Sequence, residues 1–183
     1  MVYISGGNEL LDPMAIFTRL GLKTGSKIAD LGCGGAGHFV IPAARLVGEN
    51  TTVYAVDILK SALQSVTSKA RLEGIYNVKP IWSNLEIVGA AKIPEKSLDF
   101  ALLINNLFQS KEHENLFKEA LRLLKDDGQL LIIDWKMENG TFGPPLVDRV
   151  KPEAVKKIAN KLNLKLVDEF AAGAYHYGLI FRK

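Results

Sequence analysis

Two carboxylates on either side of a glycine-rich loop are the residues best placed to do chemistry in this chain. Asp30 stands just before the loop, and Asp57 ends the next apolar stretch. Glycines let a backbone approach a ligand where a Cβ would collide, and the helix expected after the loop presents unpaired N–H groups. Asp57, at the tip of a strand, could accept hydrogen bonds from both hydroxyls of a ribose. Residues 27–57 therefore predict half of a nucleotide-binding sheet.

The identity of the nucleotide depends on Asp30. The spacing Gly32-x-Gly34-x-x-Gly37 fits the fingerprint of a dinucleotide-binding loop. However, a carboxylate at the mouth of the loop would repel a pyrophosphate. S-adenosylmethionine has an ammonium, a sulfonium and an adenosine but no phosphate, so Asp30 suits its ammonium end and Asp57 suits its ribose. S-adenosylmethionine is the expected cofactor, and an NAD(P)-dependent oxidoreductase is the alternative.

The motifs themselves resemble those of a known family. Asp30-Leu31-Gly32-Cys33-Gly34, followed by 53–57, is similar to the first two motifs of class I S-adenosylmethionine-dependent methyltransferases. The similarity is strongest to the compact group that includes the ubiquinone and menaquinone biosynthesis C-methyltransferases, and it extends over residues 26–135. The chain departs from the family at its third glycine, which is replaced by Ala36 between glycines 35 and 37. The resemblance implies methyl transfer from S-adenosylmethionine.

The ends of further strands supply more candidate positions. In related methyltransferases an acidic residue after the third strand commonly accepts from the adenine amino group. Here Asn84 could accept through its side-chain oxygen while Leu85 donates a backbone N–H, although Asn84 could equally be a turn residue. Asn105 follows an apolar strand whose tip should face the transferring methyl group. The candidate cofactor-binding residues are Asp30, Gly32, Gly34, Asp57, Ile58, Asn84, Leu85 and Asn105.

No residue is assigned as the catalytic base. Displacement at a sulfonium methyl mainly requires alignment and exclusion of water, and a base is needed only when the nucleophile arrives protonated. His176, at the start of the last predicted strand, and His38, after the glycine loop, are candidates together with Asn105. His113 is expected to be solvated on a surface helix. We expect no metal site, because residues with metal-ligand spacing are absent from the sequence.

The family resemblance and the hydrophobic periodicity predict an α/β fold. We expect a Rossmann-like, mostly parallel seven-stranded sheet with helices on both faces and a terminal antiparallel strand. Ser110 is expected to cap the helix predicted at 111–124. A turn is expected after that helix, at 126–128. Helices are predicted at 13–20, 38–47, 61–72, 111–124 and 152–162, and strands at 27–31, 52–57, 78–82, 98–104, 129–135, 165–170 and 175–182.

The length of 183 residues suits a single domain over 1–183. The family resemblance implies that residues 1–25 help to cover the cofactor, and a helix that only packs over the sheet edge is the alternative. Residues 138–151 are a candidate substrate lid, because their glycines and prolines forbid a helix or a central strand and long loops at this edge are often functional.

The composition bears on the cellular location of the protein and on the kind of molecule it acts on. No apolar run reaches the roughly 20 residues that span a bilayer, and the single cysteine fits a reducing compartment, so a cytoplasmic location is expected. The net charge of +3 is mild, and no dense basic stripe indicates nucleic-acid binding. We expect a small-molecule acceptor, with a protein or nucleic-acid acceptor left open and the oligomeric state unassigned. A non-catalytic cofactor-binding module is a further alternative.

Overall fold

A seven-stranded sheet forms the centre of the computed structural model, which describes residues 7–138 and 142–183. The strands are β1 Ile28–Leu31, β2 Val53–Asp57, β3 Val78–Trp82, β4 Leu98–Ile104, β5 Leu124–Trp135, β6 Lys165–Ala171 and β7 His176–Arg182. The helices are α1 Pro13–Leu20, α2 Val40–Val47, α3 Lys60–Leu72, α4 His113–Leu123 and α5 Pro152–Lys161.

The order of the strands is β3-β2-β1-β4-β5-β7-β6. The first five strands pair in parallel, whereas β7 lies antiparallel to both β5 and β6. The predicted Rossmann-like sheet with its antiparallel end is confirmed. This order places the carboxyl ends of β1, β2 and β4 side by side, where open α/β sheets bind their ligands.

Two hydrophobic cores lie on opposite faces of the sheet. Successive residues of a strand face opposite sides, so Ile28 packs in one core and Ala29 in the other. The first core includes Phe17 of α1 and Val66 of α3, and the second includes Phe117 of α4. Helices on both faces bury β1 completely, which explains why all of its residues except Asp30 are apolar.

The helix ends follow the local sequence signals closely. The Asp12 carboxylate accepts hydrogen bonds from the backbone N–H groups of Met14 and Ala15 at 2.9 and 3.2 Å, which caps α1. Gly21 ends that helix with a φ of 76°. Helix α2 begins at Val40, two residues later than predicted, so Pro42 lies in its first turn where no hydrogen bond is lost.

Two local predictions were wrong. Helix α4 begins at His113 with Glu112 at its N-cap position; the Ser110 hydroxyl donates to Glu86 at 2.6 Å and accepts from the Glu112 N–H at 3.0 Å, before the helix starts. The expected turn at 126–128 lies inside β5 as an irregularity of the ladder, because Leu98 pairs with Leu124 but Phe100 pairs with Gln129. The extra β5 residues are accommodated as a bulge.

The connection from β3 to β4 is held by one buried carboxylate. Glu119 of α4 is fully buried and accepts hydrogen bonds from the N–H groups of Gly89 at 2.6 Å and Ala91 at 2.9 Å. The Arg122 guanidinium donates to the same carboxylate at 2.8 and 2.9 Å. Glu119 therefore fixes a long loop that returns from the cofactor edge of the sheet.

Replacing Glu119 with glutamine should lower the free energy of unfolding by about 1 to 2 kcal/mol, because an amide group would face donors that now meet a carboxylate. Urea denaturation would measure the change. Glu114→Gln is the matched control: Glu114 lies on the same helix in surface ion pairs with Lys118 and Lys161, which contribute little. An equal loss in both variants would contradict the special role of Glu119.

Within the described ranges 7–138 and 142–183, the helices are too short or too polar to cross a membrane.

Candidate functional site

A cavity of about 530 Å³ opens at the carboxyl edge of the parallel strands. Its walls come from the loops after β1, β2, β3 and β4 and from the N-terminal segment at Asn8. We call it the first cavity. It brings together seven of the eight predicted cofactor-binding residues, namely Gly32, Gly34, Asp57, Ile58, Asn84, Leu85 and Asn105.

The glycine loop forms the floor of the first cavity, and two of its glycines cannot be replaced without a collision. Gly32 has a φ of 79°, and a Cβ there would lie 2.0 Å from the Asn106 side-chain nitrogen. Gly37 has a φ of 71°, and a Cβ there would lie 2.9 Å from Val66. The family usually has its third glycine at the position of Ala36. In this chain the left-handed turn that closes the loop occurs one residue later, at Gly37.

Asp57 holds the loop in place and also lines the cavity. One of its carboxylate oxygens accepts a hydrogen bond from the Gly34 N–H at 2.9 Å, and the other accepts from the Leu59 N–H at 2.8 Å. Each oxygen has a second lone pair, so the carboxylate can accept further hydrogen bonds from a ligand. Asp57 can therefore serve the ribose role that its position in the sequence predicts.

Asp30 is the one predicted residue that does not line the cavity. It is 3% exposed, because β1 is buried between β2 and β4, and its Oδ2 has no hydrogen-bond partner within the described residues. Burial, reinforced by the nearby Asp57 carboxylate, raises the pKa of Asp30 to about 7. Asp30 thus lies within the sheet and outside the lining of the first cavity, and its interaction with a ligand ammonium stays a prediction.

A pH-dependent stability follows from this burial. The folded pKa of Asp30 lies above the ordinary value of 3.8, so its contribution to stability is fully present at low pH and is lost as the pH rises toward 7. We expect Asp30→Asn to be more stable than the wild type at pH 8. Between pH 7 and 5 this advantage should shrink by up to about 1.4 kcal/mol per pH unit. Denaturant titrations at several pH values would measure it, and a pH-independent difference would contradict the shift.

The two asparagines meet different partners. Asn84 accepts a hydrogen bond from the Glu86 N–H at 3.0 Å through its side-chain oxygen, so the turn interpretation is confirmed while the residue still lines the cavity. Asn105 has a left-handed φ of 57°, and its amide donates to the Asn8 side chain at 2.8 Å. Asn8 therefore ties the described part of the predicted cover segment, from residue 7 onward, to the tip of β4.

A short 3₁₀ turn, Leu107–Gln109, lies between the first cavity and a second one. We call this turn the partition. Asp134 at the end of β5 is fully buried and accepts a hydrogen bond from the Leu107 N–H at 3.0 Å. Burial raises the pKa of Asp134 to about 7. Backbone hydrogen bonds from Trp135, Leu107 and Phe108 act in the opposite direction and lower this pKa, but burial has the larger effect. Sequence reasoning missed this residue, although a carboxylate interrupting an apolar strand was an available signal.

His113 also supports the partition. Its Nε2 lies 2.8 Å from the Leu107 carbonyl oxygen, and the residue lines the second cavity. The sequence predicts a solvated histidine on a surface helix; in the structure His113 is half-buried at the start of α4 and contacts the preceding 3₁₀ turn.

The second cavity has a volume of about 810 Å³ and lies between the partition and the described part of the predicted lid. Arg149 organises this lid, although the sequence did not single it out. Its guanidinium donates to the carbonyl oxygens of Lys136 at 2.7 Å and of Glu138, Phe142 and Pro144 at 2.9 Å each. Residues 139–141 of the predicted lid 138–151 and residues 1–6 of the predicted cover 1–25 lie outside the described residues.

The two histidines considered for catalysis line neither cavity. His38 contacts the Leu11 carbonyl oxygen through Nε2 at 2.9 Å and packs edge-on against Phe39. His176 is fully buried with its ring 4.2 Å from that of Trp135, and burial, with Lys136 and Arg149 nearby, lowers its pKa to about 4. The predicted direction of β7 is correct, but the His176 side chain packs against Trp135 instead of facing a cavity.

Among residues 7–138 and 142–183, no three His, Cys, Asp or Glu side chains are grouped so that they could hold a metal ion.

Comparison with known proteins gives consistent results. Residues 22–171 match the family described as "Methyltransferase domain". The ubiquinone/menaquinone biosynthesis C-methyltransferase UbiE of Yersinia enterocolitica is 32% identical over 129 residues, which are 70% of this chain and 47% of that protein. The chain thus spans about half the length of the curated relatives it matches.

Two solved structures are similar over nearly their full length. A SAM dependent methyltransferase from Aquifex aeolicus is 26% identical with a TM-score of 0.87, covering 97% of this chain and 92% of that one. A putative type 11 methyltransferase from Sulfolobus solfataricus is 28% identical with a TM-score of 0.77, covering 95% and 93%. The resemblance inferred from the Asp30 and Asp57 motifs is confirmed, and the chain belongs to the methyltransferase-domain family, within the class I S-adenosylmethionine-dependent group.

Proposed function

We propose that this protein is an S-adenosylmethionine-dependent methyltransferase acting on a small molecule. The observation that carries the proposal is the convergence of residues from four separate loops on the first cavity, in the chain order that the family motifs require. Family membership favours this function over an NAD(P)-dependent oxidoreductase.

The chemistry of the first cavity suits this cofactor. Two buried polar atoms among its lining residues, Ser83 Oγ and Asn106 Oδ1, have no hydrogen-bond partner within the described residues and could receive one from a ligand. Asp57 would accept from the ribose hydroxyls, and Ile58 and Leu85 would flank the adenine. The glycine loop and Asn105 would hold the methionine end. When bound, S-adenosylmethionine supplies an electrophilic methyl group.

The remaining residues position the acceptor. We place the acceptor in the second cavity, because that cavity meets the first at Phe108, Gln109 and Ser110. Asp134 and His113 fix the partition through the N–H and carbonyl groups of Leu107, so the residues shared by the two cavities are held in place. The lid held by Arg149 would keep water from the acceptor. These residues provide alignment and exclusion of solvent, which dominate this class of reaction.

Calorimetric titration of the purified protein tests the proposal. S-adenosylmethionine and S-adenosylhomocysteine should bind with micromolar affinity, with NAD and NADH as controls. Binding of the nicotinamide pair alone would favour an oxidoreductase. Cofactor binding without turnover across a broad acceptor panel would favour a non-catalytic module.

The proposal extends to the organisation of the chain. Residues 1–183 would form one methyltransferase domain in the cytoplasm, with 1–25 as the cover and 138–151 as the lid. The N-terminal part of this assignment rests on the contact between Asn8 and Asn105, and the lid assignment rests on the hydrogen bonds of Arg149.

A further inference from the structure

The second cavity carries an excess of positive charge. Lys111, Arg149 and Lys151 are among its lining residues, whereas Asp148 is the one carboxylate among them. In the part of the chain that the structure describes, neither Lys111 nor Lys151 has an ion-pair partner. The guanidinium of Arg149 donates to neutral carbonyl groups, so its hydrogen bonds are satisfied without cancelling its charge.

Several cations elsewhere on the protein are paired with carboxylates. Lys156 pairs with Glu169, Lys161 with Glu114 and Arg19 with Asp168. Other exposed lysines, such as Lys92 and Lys165, also have no ion-pair partner within the described residues, so the second cavity is distinguished by the grouping of its cations. At the second cavity the cations are concentrated around a concave space, where the charges reinforce one another and are less screened than on a convex surface.

The backbone adds to the same potential. Lys111 and Lys151 lie just before the first residues of α4 and α5. At the N-cap positions of these helices, neither Glu112 nor Lys151 caps the helix with its side chain. The positive ends of two helices, 11 and 10 residues long, therefore flank the cavity. Glu114 and Glu153 lie in the first turns of these two helices and offset part of this potential, so the site is defined by its side chains.

The rest of the lining is apolar. Phe108 of the partition, Pro144, Val147 and Val150 of the lid and Ala154 of α5 line the same cavity. Val147 is 89% exposed, so its side chain is accessible to a ligand in this cavity. The cavity thus offers an apolar surface next to a cationic rim.

We propose that the second cavity binds an organic anion with an apolar body, and that the methyl acceptor is therefore a small molecule bearing a carboxylate or a similar acidic group. The anionic group would lie near Lys111 and Lys151, and the apolar body would lie against Phe108 and Val147. That the bound anion is the methyl acceptor rests on the proposed methyltransferase function. The preference of the second cavity for anions does not depend on that function.

A pair of fluorescent probes tests the preference directly. 1-Anilinonaphthalene-8-sulfonate is an apolar anion, and N-phenyl-1-naphthylamine has the same rings without the sulfonate. With S-adenosylhomocysteine present, the anionic probe should bind more tightly than the neutral one. In the double variant Lys111→Gln/Lys151→Gln, the dissociation constant of the anionic probe should rise about tenfold, while that of the neutral probe should stay within about twofold.

A matched control is the double variant Lys92→Gln/Lys165→Gln, which removes two exposed lysines that line neither cavity. It should leave the affinity of both probes unchanged. Equal affinity for the two probes, undetectable anion binding, an unchanged dissociation constant in the Lys111/Lys151 variant, or an equal loss in the control would each overturn the proposal. So would displacement of the anionic probe by S-adenosylhomocysteine, because the probe would then occupy the first cavity.

The failure of the proposed function would look different. If S-adenosylhomocysteine did not bind in calorimetry, the methyltransferase assignment would fall, whereas the probe titrations repeated without it would still decide whether the second cavity selects anions.

Discussion

Replacing Arg149 with alanine is expected to accelerate amide hydrogen exchange in the lid by about a hundredfold, because the hydrogen bonds that join four carbonyl groups would be lost together. The Asp148 and Arg149 amides are suitable reporters, since they donate to Pro145 and Leu146 inside the lid. Exchange measured by mass spectrometry would give the rates. Affinity for S-adenosylhomocysteine should stay within about twofold, because Arg149 does not line the first cavity.

Two further variants make this test specific. Arg149→Lys keeps the positive charge but cannot reproduce the forked geometry of the guanidinium, so it should show most of the acceleration. Arg45→Ala removes an exposed arginine that pairs with Glu73 outside the lid, and it should leave lid exchange unchanged. If Arg149→Ala exchanged like the wild type, Arg149 would not be what holds the lid.

Replacing Asp57 with alanine should weaken binding of S-adenosylmethionine and S-adenosylhomocysteine by about 1 to 3 kcal/mol, which corresponds to a loss of about 5- to 150-fold. The ribose hydroxyls would lose their acceptor. The Gly34 N–H would also lose its partner at 2.9 Å, so the glycine loop would be less well ordered. Isothermal titration calorimetry of both ligands would measure the change.

Asp126→Ala is the control for this prediction, because Asp126 is exposed and pairs with Lys96 far from the cavity. A thermal melt must accompany the titration, since Asp57 also supports the fold through the Leu59 N–H. Unchanged affinity in a folded Asp57→Ala protein would remove the ribose assignment. Asp57→Asn should recover part of the affinity, because its amide oxygen can still accept one hydrogen bond.

Electrostatics at the first cavity depend on two coupled carboxyl groups. The Asp57 carboxylate, which lines the first cavity, contributes to the raised pKa of Asp30, after burial as the larger cause. A cation placed in the cavity would favour the ionised form of Asp30, so binding of a sulfonium ligand should release a proton near neutral pH. The charge of Asp30 thus favours a cationic ligand, as the sequence predicts.

The sequence by itself determined the fold, the family and the first cavity. The signals for these features are local: apolar strands, the loop from Gly32 to Gly37, and the carboxylate that ends β2 all lie within one short stretch of chain. In a parallel sheet, consecutive strand ends meet at one edge, so residues after β1, β2, β3 and β4 could be assigned to one site before their contacts were known.

Only the tertiary structure decided which side chains face the cavities. Asp30 belongs to a strand covered on both faces, so it is buried below the loop, and His176 packs against Trp135 for a similar reason. Asp134 acts on Leu107, 27 positions away, and no local pattern records such a contact. The role of Arg149 likewise depends on carbonyl groups, which every residue has, so its partners become visible only when the lid is folded against the end of β5.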